Sequence, residues 1–184
     1  PKQKPGQPGT STGPISTQNQ DLGDPRKKEG FQKHKVGKSS HYFLGAPKKL
    51  TIYQIYNLAR DAGFNKEQAK IMTMIAMVES GEGYSNIHSH PGLRGGDASY
   101  GLWQINMLGK LGPDRRKRFG IKSNNELLDP KKNADAAFKI ASLTGKISFR
   151  PWTTYSSKKY LNYKEKVNSA ISLGNMGVAN QPAR

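Results

Sequence analysis

Apolar residues recur at the spacing of an amphipathic helix soon after residue 50. They occupy the i, i+3, i+4 and i+7 positions of one helical face: Ile52, Ile55, Tyr56 and Ala59. Thr51 precedes this face and is a good N-cap, because its hydroxyl can accept a hydrogen bond from a free N–H of the first turn. Gly63 follows the face and is expected to end the helix.

A second helix is predicted from Asn65 to Glu79. Asn65 and Gln68 have the spacing of a capping box, in which each side chain bonds the backbone N–H of the other residue. Residues 71–78 are apolar nearly all round, and one acid, Glu79, follows them. A helix without a polar face is expected to be buried on all sides. We therefore expect this helix at the centre of the domain.

Two more helices are predicted further along the chain. Asp129-Pro130 is an N-cap and first-turn pair, and one face of the helix that follows is formed by Asn133, Ala136, Ala137 and Ile140. A last helix carries Tyr163, Val167, Ala170 and Ile171, and Gly174 is expected to end it. Residues 81–98 indicate a glycine-rich loop, and residues 102–107 a short helix or turn. No stretch alternates clearly enough to predict a strand, so the predicted fold class is mainly α.

Composition divides the chain into three parts. Residues 1–46 consist largely of Pro, Gly, Ser, Thr, Gln and Lys and contain few apolar side chains. Such a low-complexity segment cannot bury enough surface to offset the entropy of ordering. We expect an extended basic N-terminal tail at 1–46, held by a partner in a larger assembly. A catalytic domain is expected at 47–174 and a loose C-terminal tail at 175–184.

The chain is strongly basic, with 30 Lys and Arg against 13 Asp and Glu and a formal net charge of +17. The excess is +5 in residues 1–46 (8 basic minus 3 acidic) and +12 in the remainder (22 minus 10). A field of this sign favours nucleic acid, acidic cell-wall polymer or an acidic protein surface as a partner. The densest basic run, residues 115–118, fits this interpretation, and a solvated helix face is the alternative.

Several classes of chemistry are excluded or disfavoured. The absence of cysteine excludes disulfides, thiolate metal sites and cysteine nucleophiles. No apolar run reaches membrane-spanning length, and no segment has the form of a signal peptide. Action outside a cytoplasm is therefore expected to need delivery by something else. His88 and His90 invite a metal hypothesis, but no third ligand is evident, and we expect neither a metal nor a cofactor.

Glu79 is the strongest candidate for chemistry. A carboxyl that an apolar helix carries to the edge of a loop loses part of its hydration, which disfavours the anion and raises the pKa. A general acid for a glycosidic bond needs this property. Glu82 and Asp97 are the nearest candidates for a second acid, and both lie among glycines, where turn roles are common. Hydrolysis gains support if either faces Glu79 across a cleft.

A set of four motifs, in this order along the chain, carries a family resemblance. They are Glu79-Ser80, residues 99–105 (SYGLWQI), Asn133 in a helix, and residues 152–155 (WTTY). The set resembles the soluble lytic transglycosylase family, which is related in fold to goose-type lysozyme, over about residues 50–170. With Trp103 where the usual pattern has methionine, and with the WTTY segment, the chain is most similar to the transglycosylase domains of bacteriophage virion proteins.

The resemblance implies a lysozyme-like helical fold and cleavage of the MurNAc–GlcNAc β-1,4 bond of peptidoglycan. Glu79 would protonate the glycosidic oxygen and then take a proton from the 6-hydroxyl of the sugar, which closes a 1,6-anhydro ring. One carboxylate then serves both steps, and no water is consumed. Glu79 is therefore the predicted catalytic residue.

Six residues are predicted to bind substrate: Ser80, Ser99, Gln104, Ile105, Trp152 and Tyr155. The amide of Gln104 suits an N-acetyl group or a sugar hydroxyl. Tyr155 matches the late tyrosine of the family, which positions the acid or binds substrate. Trp152 can line the same groove, and the two serines can hydrogen-bond the acid or the glycan. Each residue also has a structural alternative. The aromatic rings can pack in the core, the amide can hydrogen-bond the loop backbone, and the serines can cap a helix or stabilise a turn.

The principal hypothesis is a peptidoglycan lytic transglycosylase carried in the tail or internal core of a phage particle. It would open the host wall in the periplasm during genome ejection, with the N-terminal tail contacting other virion proteins. Non-specific contact with nucleic acid is a further expectation from the charge. The alternatives are a structural or DNA-contacting virion protein whose lysozyme-like domain is inactive, and a lysozyme that hydrolyses the same bond.

Overall fold

The computed structural model describes residues 30–36, 39–89 and 98–179. Within these residues the fold is mainly α, as predicted, with six α-helices. These are α1 (Ile52–Asp61), α2 (Lys66–Glu79), α3 (Leu111–Phe119), α4 (Pro130–Ala141), α5 (Thr153–Ser156) and α6 (Lys164–Ala179). Two 3₁₀ helices are also present, at Asn124–Leu128 and Lys159–Tyr163. None of the helices in this described part combines the length and the apolar character needed to cross a bilayer.

The first two helices begin at the predicted caps. Thr51 and Asn65 are the N-caps, and each side chain accepts a hydrogen bond from the N–H three residues on, at 3.2 and 2.9 Å. Both form complete capping boxes, so two N–H groups at each helix start are satisfied. Gly63 follows α1 with φ of 117°, and a Cβ there would lie 2.9 Å from the ring of Phe138. Glycine is therefore needed where this helix ends.

Helix α2 is the central helix, as predicted. Seven of its side chains are buried: Ala69, Met72, Thr73, Met74, Ile75, Ala76 and Met77. Helices α1, α5 and α6 and the second 3₁₀ helix pack against it. Burial of apolar surface is the dominant favourable term in folding, so these contacts fix α2 firmly in the domain. The helix thus presents its C-terminal end from a rigid support.

A five-stranded antiparallel sheet, which the sequence did not predict, adjoins the helices. Its strands, in spatial order, are β1 (Phe31–Val36), β2 (Ser39–Leu44), β3 (Ile87–Ser89), β4 (Ser99–Tyr100) and β5 (Ile105–Asn106). The sequence pattern did not reveal this sheet, because three of its strands are only two or three residues long. The pairing of β2 with β3 is also non-local, as in the register of Tyr42 with His88. Strand formation of this kind depends on neighbours in space rather than on local pattern.

The strand pair β1–β2 lies within residues 1–46, which we expected to be a tail. Phe31 and Phe43 are buried and anchor the pair to the sheet. Their rings contact His88 and Tyr84, with centroids 4.8 and 5.3 Å apart. Two aromatic side chains therefore stabilise a segment whose average composition is polar. The tail prediction is wrong for the described residues 30–36 and 39–46, and residues 1–29 lie outside the described residues.

The two segments predicted as loop or turn also contribute short strands. Residues 81–98 begin as a turn and then form β3. The part at 90–97 lies outside the described residues. Residues 102–107 form a turn followed by β5. The turn prediction is confirmed here, but the strands within both segments were missed.

Helix α4 begins as predicted, with Asp129 as its N-cap and Pro130 at its first position. The Asp129 Oδ1 atom accepts a hydrogen bond from the N–H of Lys132 at 2.9 Å. The predicted face is buried: Asn133, Ala136, Ala137 and Ile140. These positions hold α4 against α1 and the sheet.

Gly174 was predicted to end helix α6, and this prediction is wrong. The helix continues to Ala179. A Cβ at Gly174 would lie 2.3 Å from the ring of Tyr53, so this glycine makes room for a ring that packs on the helix backbone. A glycine inside a helix costs about 1 kcal/mol relative to alanine, and this packing contact offsets that cost. The predicted C-terminal tail is therefore wrong for residues 175–179, and residues 180–184 lie outside the described residues.

Candidate active site

Glu79 is the last residue of α2, and its side chain is half-buried. Its Oε1 atom accepts a hydrogen bond of 2.6 Å from the hydroxyl of Thr154 in α5, 75 residues further along the chain. This distance lies within the normal range of an O–H···O hydrogen bond. The fold therefore brings the predicted acid against the WTTY segment.

Two buried indoles hold the start of α5 against α2. Trp152 is the N-cap of α5, and its Nε1 donates to the carbonyl oxygen of Trp103 at 2.9 Å. The Nε1 of Trp103 donates in turn to the carbonyl oxygen of Met72 at 2.8 Å. Trp152 is 6% exposed and Trp103 is fully buried. Trp152 thus has the packing role that the sequence left open, in place of the predicted contact with substrate.

Ser80 closes the turn that follows the acid. Its hydroxyl donates to the carbonyl oxygen of Ala76 at 2.7 Å and accepts from the N–H of Gly83 at 3.1 Å. The residue is fully buried. The structure therefore gives Ser80 the capping and turn role, in place of the predicted contact with substrate.

Asn133 of α4 organises the loop between β4 and β5. Its Nδ2 donates to the carbonyl oxygens of Tyr100 and Leu127, both at 2.8 Å. Its Oδ1 accepts from the N–H of Trp103 at 2.9 Å. Gly101 has φ of 74°, and a Cβ there would lie 2.5 Å from the Asn133 Nδ2. The close approach of this buried amide to the loop therefore requires glycine.

The three predicted binding residues of the 99–105 segment differ in exposure. Ser99 and Ile105 are 2% and 1% exposed and pack in the interior, which argues against the predicted contact with substrate. Gln104 is half-buried, and its Nε2 donates to the carbonyl oxygen of Gly101 at 2.8 Å. This bond ties the Gln104 side chain to the backbone of its own loop, which is the alternative role that the sequence left open. Among these three residues, Gln104 is the one whose side chain reaches the surface.

Tyr155 follows Thr154 and is half-buried. Its ring stacks on that of Tyr160 at a centroid distance of 5.0 Å and contacts Phe149 at 5.2 Å. Burial raises the pKa of Tyr160, and Tyr155 raises it further. The predicted late tyrosine is thus part of an aromatic stack beside the acid.

The first candidate for a second acid, Glu82, has a turn role. It has φ of 75° and belongs to the turn after α2. Its carboxylate is about half exposed and pairs with Lys49 at 3.2 Å and Lys166 at 3.9 Å. Burial raises the pKa of the nearby Tyr163, and the Glu82 charge raises it further. The other candidate, Asp97, lies outside the described residues.

The histidines do not assemble a metal site in the part of the chain that the structure describes. His88 is buried, and its Nδ1 lies 3.1 Å from the carbonyl oxygen of Ser99. Its ring also contacts Tyr100 at 4.2 Å. His90 lies outside the described residues. Residues 30–36, 39–89 and 98–179 contain no group of three or more His, Asp or Glu that could hold a metal ion.

The basic run at residues 115–118 lies on α3 and divides into two pairs. Arg115 and Arg116 donate to oxygens of neighbouring segments, and burial lowers the pKa of Arg115. Lys117 and Arg118 are exposed. Lys117 and Arg118 therefore form the solvated helix face that was the alternative interpretation of this run. They are also the two side chains of the run that an anionic polymer can reach.

Two residues close to the acid were missed by sequence reasoning. Thr154 lay within the WTTY segment, but no role was assigned to it. His41 of β2 was included in the predicted tail, although its Nε2 would lie 3.9 Å from a Cβ at Gly81, in the turn after Glu79. Burial lowers the pKa of His41. A local pattern could not identify either residue, because both reach the site through long-range contacts.

Together these features define a helical domain whose central helix ends in a half-buried glutamate beside a small antiparallel sheet. The model of a family described as a lysozyme-like domain matches residues 56–154, more than half of the chain. The chain belongs to this lysozyme-like family. Membership indicates peptidoglycan as the substrate class and lytic action on the cell wall as the class of activity. Comparison with curated proteins and with solved structures gave no match.

Proposed function

We propose that this chain is a peptidoglycan lytic transglycosylase in which Glu79 is both the general acid and the general base. The observation that carries the proposal is the position of Glu79 at the end of the central helix, within the segment that the lysozyme-like family covers. A carboxyl on a rigid, buried support keeps a constant position relative to a bound glycan, which catalysis by proton transfer requires.

The reaction has two proton transfers. Protonated Glu79 gives its proton to the glycosidic oxygen, and the C1–O bond breaks through an oxocarbenium-like state. The resulting carboxylate then takes the proton of the MurNAc 6-hydroxyl, whose oxygen bonds to the anomeric carbon. The products are a 1,6-anhydro-MurNAc end and a free GlcNAc 4-hydroxyl. Glu79 is protonated again at the end, so the cycle closes without water.

The ion pairs of Glu82 support a mechanism with one acid. A retaining hydrolase needs a second carboxylate about 5 Å from the acid, and an inverting one needs a base further away that holds a water. The Glu82 side chain is about half exposed and pairs with Lys49 and Lys166. Its carboxylate is therefore engaged in ion pairs with these lysines and not in the stabilisation of a sugar cation.

Gln104 and Tyr155 are the proposed substrate contacts. Both side chains are half-buried, which leaves part of each accessible to a glycan. The amide can bond an N-acetyl group, and the aromatic ring offers an apolar face to a pyranose. Ser80, Ser99, Ile105 and Trp152 support these contacts from the interior.

The proposed place of action is a bacteriophage particle, from which the enzyme opens the host wall in the periplasm during genome ejection. The proposal of this location rests on the resemblance of the SYGLWQI and WTTY segments, noted from the sequence, to the transglycosylase domains of phage virion proteins. The net charge of +17 suits contact with acidic virion proteins, nucleic acid or acidic wall polymer. Mass spectrometry of purified phage particles tests this location. If the chain is absent from the particles, the proposed place of action is wrong.

Digestion of purified murein tests the activity. The native chain and Glu79→Gln are incubated with murein under the same conditions, and the released muropeptides are identified by mass. We expect anhydro-ended products, lighter by one water than hydrolysis products, from the native chain and none from the variant. Products with reducing ends would instead identify a hydrolase. If the folded native chain releases nothing, both enzymatic functions fail and an inactive virion domain becomes the better description.

A further inference from the structure

We infer that Thr154 is the positioning residue for Glu79, because its hydroxyl holds the Oε1 atom of the carboxyl that exchanges protons with the glycan. The inference rests on the proposed function of Glu79. Its basis is the 2.6 Å hydrogen bond from the Thr154 hydroxyl to Oε1. A hydroxyl has a single proton to donate, so this bond commits it to one of the two carboxylate oxygens.

The donor is held in place by its own surroundings. Threonine is branched at Cβ, which leaves its hydroxyl few rotamers. Thr154 lies in α5, whose first turn is closed by the bond from the N–H of Ser157 to the carbonyl oxygen of Thr153 at 2.8 Å. The buried indole of Trp152 precedes it, and the stacked ring of Tyr155 follows it. The hydroxyl direction is thus set before substrate binds.

The bond has a chemical consequence beyond geometry. A hydroxyl donates more strongly to a carboxylate than to a neutral carboxylic acid. The bond therefore stabilises the anion that forms after the first proton transfer, which is the base of the second step. It also favours departure of the acidic proton, since the charge left on the carboxylate is partly stabilised.

Other titratable groups near the end of α2 could also influence the ionisation of Glu79. Glu82 lies in the following turn with its partners Lys49 and Lys166. His41 approaches the same turn from β2. Two phenols lie near this turn: Tyr163, whose pKa the Glu82 charge helps to raise, and Tyr84, whose ring lies under Lys49. A comparison of Thr154 variants leaves all these groups in place.

The position of Thr154 also differs from the role expected for its neighbour. The family resemblance suggested Tyr155 as the residue that positions the acid. In the structure, the ring of Tyr155 is stacked against Tyr160 and Phe149, and the hydroxyl of Thr154 bonds the acid. The positioning role in this chain therefore belongs to the residue one place earlier.

The experiment compares Thr154→Val, which keeps the shape and removes the donor, with Thr154→Ser, which keeps the donor. Thr153→Val is the matched control, because this neighbouring threonine is exposed. The kcat and KM of each full-length variant are measured on soluble glycan strands from pH 4 to pH 9. Thermal unfolding shows that each variant is folded, and Thr154→Ala replaces the valine variant if that one is not.

We expect Thr154→Val to lower kcat about tenfold with little change in KM, consistent with the loss of one hydrogen bond to a charged group. The rate needs protonated Glu79, so it falls as the pH rises through the pKa of this group. Loss of a bond that favours the anion raises that pKa, and the alkaline limb of the profile therefore moves to higher pH. Thr154→Ser should stay within about twofold of the native chain and keep its pH profile, as should Thr153→Val.

The result that overturns the inference is an unchanged alkaline limb in Thr154→Val, or an equal loss of kcat in the serine and valine variants. Either result would mean that Thr154 only fills space. The Glu79→Gln variant separates this failure from failure of the proposed function. If Glu79→Gln is inactive while Thr154→Val behaves like the native chain, Glu79 remains the acid and only the positioning role is lost.

Discussion

The indole Nε1 of Trp152 donates a hydrogen bond of 2.9 Å to the backbone carbonyl oxygen of Trp103. The two residues lie 49 positions apart, and both follow Glu79 along the chain. Trp103 is itself tied to Met72 of the central helix. The two indoles thus form a buried link from α2 through the 101–104 turn to α5, and this link sets the distance between Glu79 and Thr154.

Replacement of Trp152 by phenylalanine should break this link. The variant keeps an aromatic ring but leaves the buried carbonyl oxygen of Trp103 without its donor, which costs about 1–3 kcal/mol of unfolding free energy. Release of murein fragments should also fall, because α5 carries Thr154. Urea unfolding and the murein assay measure the two effects. A variant as stable and as active as the native chain would show that the link is dispensable.

Asn133 should be among the most sensitive polar residues of the domain. Its side chain is fully buried and satisfies three backbone groups, those of Tyr100, Trp103 and Leu127. Asn133→Ala leaves these groups unpaired and opens a cavity, so we expect a loss of about 3 kcal/mol or more in urea unfolding. Asn162→Ala, at an exposed position, is the control and should change stability by less than about 0.5 kcal/mol. Similar losses in both variants would contradict the proposed importance of the buried amide.

The elements that could be predicted from sequence are those whose signals are local. The capping pairs at Thr51 and Asn65 and the Asp129-Pro130 start each lie within four residues of the helix that they begin. The apolar run before Glu79 is also a local signal. It predicted both the central helix and the candidate acid at the end of that helix. Each of these predictions depended on spacing along one helix, which the sequence displays directly.

The features that escaped prediction depend on contacts between distant segments. Strands β1 and β2 are held by the rings of Phe31 and Phe43 against residues more than forty positions later. Gly174 is explained only by the ring of Tyr53. Thr154 is explained only by its bond to Glu79. Four of the six predicted binding residues proved to be buried, because a motif identifies a segment but not which of its side chains face solvent.

Glu126 should make the free energy of unfolding of the domain depend on pH in the acidic range. Hydrogen bonds from Lys132 and from the N–H groups of Lys122 and Ser123 lower its pKa from 4.5 to about 2. Because the pKa is depressed in the folded state, these bonds stabilise the fold above pH 4.5, and the stabilisation is lost as the pH falls from 4.5 towards 2. Glu126→Gln cannot ionise at this position, so it lacks this dependence.

Thermal unfolding of the native chain and Glu126→Gln between pH 7 and pH 2 measures the effect. We expect the difference between their melting temperatures to be constant above about pH 5 and to shrink at lower pH, with the native chain the more stable at neutral pH. A difference that stays the same down to pH 2 would show that the hydrogen bonds of Glu126 do not depend on its charge.

Gly174 and Gly177 of α6 offer a matched pair of alanine substitutions with opposite expected signs. Both lie in the same helix, three residues apart, so the intrinsic gain in helix propensity is similar, about 1 kcal/mol. A Cβ at Gly177 meets nothing within 4 Å, whereas one at Gly174 meets the Tyr53 ring at 2.3 Å. Gly177→Ala should therefore stabilise the chain by about 0.5–1 kcal/mol in urea unfolding.

Gly174→Ala should instead destabilise the chain, by about 1–3 kcal/mol, because the Tyr53 ring cannot remain where it is. The double variant Tyr53→Ala with Gly174→Ala removes the clash and should recover the helix gain relative to Tyr53→Ala alone. This cycle isolates the contact between the two residues from the general effect of alanine in a helix. Stabilisation by Gly174→Ala in the native background would show that the ring moves aside freely and that the glycine is not needed for packing.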